Sequence, residues 1–254
     1  MPRLLAAALC ALLACALPAA AAPGVAAASD LKFALDEIAR AWSAETGKSV
    51  RLTYGSSGNF RRQIAEGAPF EIFLSADESY VLALAKDGRL VDEGTLYAIG
   101  RLALFAPAGS PVDPGQGLAG VAALARAGRI GKFAIANPAH APYGRAAREA
   151  LEGAGAWKPL EARLVLGENV SQAAQFVASG NAAAGLVAYS LMFTPAVADR
   201  GRFALVPETA HAPLRQRMAL VKGAGEDARA FYRYLQGPAA RGIFTRYGFT
   251  LPGP

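Results

Sequence analysis

Residues able to hold a charged ligand recur at five points, each where a short apolar run meets a helical pattern. Ala26-Ala27-Ala28-Ser29-Asp30 ends a small-residue strand and opens the helix carrying Leu31 and Leu35. Gly55-Ser56-Ser57-Gly58 separates a short strand from a helix with Phe60 and Ile64 on one face. Pro138–Gly144 (PAHAPYG) precedes a helix over Arg145–Leu151 that stops at Gly153. Gly167-Glu168-Asn169-Val170 precedes Ser171–Ala178, and Gly185–Ser190 (GLVAYS) ends a buried strand. The first amides of a helix have no acceptor within it and lie at the positive end of its dipole, so tips of this kind suit a small anion. Taken singly, each tip has a plainer reading. Ser29 and Asn169 serve equally as N-caps, Asn169 and Gln172 have capping-box spacing, and Gly180 is placed as a C-terminal stop. Asp77 reads as the cap of a helix beginning near Glu78.

Other chemistries fit these residues less well. A G-x-S-x-G nucleophile elbow starting at Gly55 fails, because its fifth residue is Asn59. A secreted hydrolase would pair Ser57 with His140 or His211, the two histidines of the chain, and no sequence cue joins them. H-E-x-x-H and both glycine-rich phosphate loops are absent, so zinc and nucleotide chemistry have no fingerprint.

These tips must be positioned by the strands and helices around them. Val50–Tyr54, Glu71–Leu74, Arg101–Phe105, Phe133–Ala136, Arg163–Leu166, Ala184–Ala188 and Met218–Val221 read as mostly buried strands. Helical spacing lies between them, as at Leu31, Leu35, Ile38 and Trp42, which predicts an α/β fold with mostly parallel sheets. Pro and Gly cluster at Pro107–Gly120, and a second loop-like stretch covers Pro207–Pro213. Read as two crossings, they divide the chain into a discontinuous first lobe, 23–104 with 210–254, and a second lobe, 105–209. A cleft between two hinged lobes is a favoured ligand site.

The first 22 residues have the pattern of a secretory signal: Arg3, an apolar run over Leu4–Leu17, then Pro18 and small residues. That run is too short to span a bilayer, which takes about 20 residues. Leu12–Cys15 loosely resembles a lipobox, so lipid anchoring is the lesser alternative to a free periplasmic protein. Both cysteines, Cys10 and Cys15, fall inside this segment, leaving the exported chain without a disulfide or a Cys-ligated metal. The formal charge of +6 comes from scattered residues. It favours attraction of anions over the clustered basic face that nucleic-acid binding needs.

Five ordered segments resemble the periplasmic molybdate-binding proteins of ABC transporters. They are AAASDLKFALDEIARAW at 26–42, YGSSGNFRRQIAEGAPFEIFLSAD at 54–77, NPAHAPYGRAAREALEGAGAW at 137–157, GENVSQAAQFVASGNAAAGLVAYS at 167–190 and FYRYLQGPAARGIFTRYGF at 231–249. The resemblance implies a two-lobed type II periplasmic binding protein fold, each lobe a mixed, mostly parallel sheet flanked by helices, with the ligand in the cleft. It implies a monomer without enzymatic turnover or cofactor, which binds molybdate, and tungstate too, as an oxyanion and hands it to an inner-membrane ABC permease. Sulfate or phosphate is the alternative ligand. Carried over by position, Ser29 and Ser57 donate through hydroxyl and amide groups, and Asp30, Tyr143 and Val170 through amides. The carboxylate of Asp30 points away. The tyrosine that completes such sites aligns best with Ala188, one residue before Tyr189. A one-residue offset in a strand reverses the side chain's face, so the closing phenol belongs to Tyr189 or to Tyr143.

Overall fold

The computed structural model describes residues 22–194, 197 and 199–253. The expected signal segment, apart from residue 22, lies outside the described residues. Among those described, no helix is long and apolar enough to cross a membrane.

Among the described residues two five-stranded sheets form the frame. The first comprises β1 (Gly24–Ala28), β2 (Arg51–Gly55), β3 (Ile72–Ser75), β4 (Thr95–Gly100) and β10 (Leu214–Leu220), in the order β2-β1-β3-β10-β4. The second comprises β5 (Leu102–Pro107), β6 (Phe133–Ala136), β7 (Leu164–Gly167), β8 (Ala184–Ala188) and β9 (Gly201–Leu205), in the order β7-β6-β8-β5-β9. β10 runs antiparallel to both its neighbours in the first sheet, as does β5 in the second; β1 is parallel to β2 and β3, and β6 to β7 and β8. This is the expected mixed, mostly parallel α/β architecture in two lobes.

Alternation along the central strands explains why helices cover both faces of the first sheet. Val25 and Ala27 join Ile72, Leu74 and Met218 in a core with Leu35, Trp42, Phe231 and Phe244. Ala26, Phe73 and Ala219 point the other way, against Phe60, Ile64, Val81 and Leu84. The first face is covered by α1 (Lys32–Thr46), α8 (Glu226–Tyr234) and α9 (Pro238–Arg246), and the second by α2 (Ser57–Ala65) and α3 (Glu78–Lys86). Helix α1 buries Ala34, Leu35, Ile38 and Trp42 and stops at Gly47, whose left-handed φ of 70° lets its amide close on Ser43 O. In the second lobe α4 (Gly117–Arg126), α5 (Pro142–Gly153), the short α6 (Trp157–Leu160) and α7 (Val170–Ala178) pack around the other sheet.

The crossings differ in part from the sequence reading. The chain changes sheet between Gly100 and Leu102, so 102–104 pair within the second sheet and not with the first. Pro107–Gly120 is not a crossing: it lies within the second lobe, between β5 and α4. The return does run through Pro207–Pro213, between β9 and β10.

Candidate functional site

Five strands deliver their following residues to one place. Ser29 follows β1, Ser56 and Ser57 follow β2, and Ala76 follows β3; from the other lobe Tyr143 comes after β6 and Val170 after β7. These residues line a small cavity between the lobes. Ligands of open α/β sheets bind beyond the carboxyl ends of the strands for this topological reason. No Lys, Arg or His is among the described residues that line it.

The two hydroxyls are prepared as donors. Ser57 Oγ accepts from the Ala76 amide at 3.0 Å, and Ser29 Oγ from the Ser171 amide at 3.2 Å. Each oxygen has its acceptor role met by a fixed backbone N–H, which leaves the hydroxyl proton to be given to a ligand. Tyr143 is the second residue of α5, Val170 the first of α7 and Ser57 the first of α2, so their amides belong to first turns with no intrahelical acceptor. Ser29 and Asp30 open a 3-10 turn that leads into α1. Convergent helix starts of this kind give a concave surface of neutral donors at positive dipole ends.

Helix α7 is held in place by its own cap. Asn169 Oδ1 accepts from the Gln172 amide at 3.1 Å, and Gln172 Oε1 reaches back to the Glu168 amide at 2.7 Å, one residue before the position of a strict capping box. The Gly180 stop is present, with φ 76°. Asn169→Ala is expected to cost about 1 kcal/mol. A melting temperature about 2–4 °C lower by differential scanning calorimetry is the check.

Ser29 is not a side-chain cap; its hydroxyl and its carbonyl bridge the lobes instead, accepting from the Ser171 amide at 3.2 Å and from the Ser171 hydroxyl at 2.8 Å. Ser57, Tyr143 and Val170 are all buried in the wall of the cavity. Tyr189 is placed elsewhere. β8 ends at Ala188 and the chain turns into a 3-10 segment, so the Tyr189 ring packs 4.8 Å from Phe193 and 5.8 Å from Phe203. The next residue, Ser190, reaches the centre and donates to Asp30 O at 2.7 Å. Nor does the Tyr143 phenol face the ligand as a free donor, since it donates to Asp30 Oδ2 at 3.1 Å.

Asp30 is 1 % exposed and is gripped from both lobes. Besides Tyr143, Gln216 Nε2 donates to its Oδ2 at 2.6 Å, and Tyr97 fixes that amide by donating to Gln216 Oε1 at 2.7 Å. Burial pushes the Asp30 carboxyl up to about 6, against the opposing pull of these hydrogen bonds. The same burial raises the phenols of Tyr97 and Tyr143 well above their ordinary value. Gln216 is the residue the sequence reading missed. The alternation of buried Leu214, Gln216 and Met218 along β10 placed it on a core face.

Around the cavity, direct contacts hold the lobes together. The Gly58 amide donates to His140 O at 2.9 Å, and Ser56 Oγ and His140 Nδ1 lie 2.9 Å apart. His140 Nε2 is 3.6 Å from Glu168. Histidine thus meets Ser56, the neighbour of the serine a hydrolase reading would use, while the His211 ring nitrogen faces the carbonyl of Ala212. Arg145 of α5 pairs with Asp77 and donates to the Tyr80 hydroxyl at 2.7 Å. Asp77 has the capping role expected of it, accepting from the Ser79 amide at 2.8 Å.

Residues 24–250 match the family model of the bacterial extracellular solute-binding proteins. A molybdate-binding protein of Rhodobacter capsulatus is 37% identical over 84% of this chain and 82% of its own length. One from Azotobacter vinelandii is 36% identical, covering 89% of this chain and 88% of its own. The solved periplasmic molybdate-binding protein of Azotobacter vinelandii superposes with a TM-score of 0.82 at 32% identity, over 91% of this chain and all of that one.

Proposed function

Because this chain belongs to the bacterial extracellular solute-binding proteins, and resembles their molybdate-binding members along most of its length, we propose that it captures molybdate for an ABC transporter. The observation that carries this reading is an interlobe cavity rich in neutral donors, with no cationic side chain among the described residues that line it. A tetrahedral dianion is held there by the hydroxyls of Ser29 and Ser57 and by first-turn amides of Asp30, Ser57, Tyr143 and Val170. Each charge-assisted bond contributes about 1.5–3 kcal/mol. A pocket that offers donors selects the fully deprotonated anion, since a protonated oxygen would bring a hydrogen without an acceptor. Size separates molybdate and tungstate from sulfate. The ligand joins groups from both lobes, so it favours the closed arrangement, whose composite surface an inner-membrane permease reads from the periplasm. The protein binds and releases its ligand unchanged.

Thermal unfolding tests the reading. Molybdate at 100 times its dissociation constant is expected to add about 2.7 kcal/mol of stability. This raises the melting temperature by about 5–11 °C for a chain of this size. Sulfate at the same concentration is expected to leave it unmoved. Equal stabilisation by sulfate would favour a general oxyanion carrier, and no shift with molybdate or tungstate would end the proposal.

A further inference from the structure

Asp30 is the one acidic residue among the described residues lining the cavity, and its carboxylate, turned to Gln216 and Tyr143, puts a negative charge close to where an anion would sit. Its surroundings are sealed and neutral. Oδ2 takes the Gln216 amide from β10 and the Tyr143 hydroxyl from α5, and Tyr97 of β4 locks the Gln216 side chain. Oδ1 is buried without a hydrogen-bond partner. From the segment after β8, Ser190 contributes a hydroxyl to the Asp30 carbonyl, and from α7, Ser171 binds Ser29. No cationic side chain compensates the carboxylate among the described residues. The neighbouring Lys32 pairs with Asp36 at 3.6 Å, and Arg145 is engaged by Asp77.

We propose that Asp30 makes ligand capture proton-linked: binding of an oxyanion dianion is accompanied by uptake of a proton on the Asp30 carboxylate. The inference rests on the reading that the dianion occupies this cavity. A dianion seated on the amides of the Ser29–Asp30 turn lies beside that carboxylate in a site that water does not screen. Like charges held together disfavour the ionised form, so the Asp30 carboxyl gains affinity for its proton when the ligand is present. The proton comes from solvent, and the O–H bond at Asp30 is the one bond formed.

The direction follows from linkage. The carboxyl titrates lower in the free protein than in the complex: burial with the lobes together and no ligand brings it to about 6, and a dianion beside it raises the value further. Below the free protein's value it is neutral in both states, and affinity is independent of pH. Between the two values the free protein is ionised and the complex protonated, so the dissociation constant rises by up to tenfold per pH unit. Asp30 therefore tunes capture toward mildly acidic surroundings.

Calorimetric titration of the full chain with sodium molybdate tests this, run at pH 7 in two buffers of different ionisation enthalpy and repeated from pH 6 to pH 8. Molybdate stays fully deprotonated across that range. The expected result is uptake of up to one proton per molybdate and a dissociation constant that rises several-fold toward pH 8. In Asp30→Asn the heat should be independent of buffer and the dissociation constant flat with pH. Buffer-independent heat in the unmodified protein would overturn the linkage while leaving molybdate binding intact. Uptake retained in Asp30→Asn would assign the proton to another group, and would equally overturn it. Absence of any molybdate heat would instead remove the ligand reading, and this inference with it.

Discussion

Gly58→Ala is expected to weaken molybdate binding by about 30- to 700-fold while leaving the unliganded protein as stable as before, or slightly more so. Gly58 is the second residue of α2, in a helical conformation that any residue adopts. Alanine there favours the helix by about 0.5–1 kcal/mol. The conflict lies across the cleft. A Cβ on Gly58 would stand 2.6 Å from His140 O, 3.0 Å from its Cα and 3.1 Å from its Cβ, and two of these three atoms are backbone of the opposite lobe. The same approach carries the hydrogen bond from the Gly58 amide to His140 O at 2.9 Å. Overpacking of this degree costs about 1–3 kcal/mol and the lost bond about 1 kcal/mol. Both penalties fall on the closed state alone. With tenfold in affinity per 1.4 kcal/mol, the sum gives the stated range. Isothermal titration with molybdate, beside a melting curve of the unliganded protein, separates this from misfolding. A fall in melting temperature with unchanged affinity would mean that the contact supports the fold and not closure.

Much of this site was legible because its chemistry resides in local turns. Ser57 and Ser29 sit where a strand stops and a helical pattern starts, and that local cue placed both in the cavity wall. Tyr143 and Val170 were placed by the same cue together with the family resemblance. Tyr189 was misplaced because the geometry beyond β8 is a 3-10 turn, which no residue in GLVAYS announces; its ring left the cleft, and Ser190 entered. Gln216 was hidden for a different reason. It belongs to a strand 186 residues away from Asp30 in sequence, and the hydrogen bond between them exists only once β10 has inserted beside β3.

The fold shows the same division between local and distant causes. Phe133–Ala136 and Ala184–Ala188 were bounded correctly, as short apolar runs buried on both faces. β4 and β9 were missed. β4 continues into β5 through Arg101 alone, so the change of sheet leaves no loop composition to read, whereas the proline-rich stretch that looked like a crossing merely connects β5 to α4. β9 is an edge strand with Arg202, Phe203 and Leu205 exposed, and such a strand lacks the buried alternation that marks a half-covered one.

Ser57→Ala carries the other large effect, and it acts on two equilibria at once. The hydroxyl proton is a donor to the anion, so its loss is expected to raise the dissociation constant for molybdate by about 10- to 150-fold, equivalent to about 1.5–3 kcal/mol. The hydroxyl oxygen is also the acceptor for the Ala76 amide, in a residue that is fully buried. Removing it leaves that N–H without a partner, at about 1–3 kcal/mol of folding stability. The unliganded melting temperature should therefore drop by about 2–12 °C. Ser56→Ala is the contrast: its hydroxyl meets His140 of the other lobe, so its loss should touch affinity modestly and the unliganded fold hardly at all. Titration and melting on both variants read the two effects separately. Unchanged molybdate affinity in Ser57→Ala, with the melting temperature lowered, would reduce Ser57 to a bracket between β2 and β3. Lowered affinity with an unmoved melting temperature would mean that water replaces the hydroxyl at the Ala76 amide when the lobes part, and that the serine is there for the anion alone.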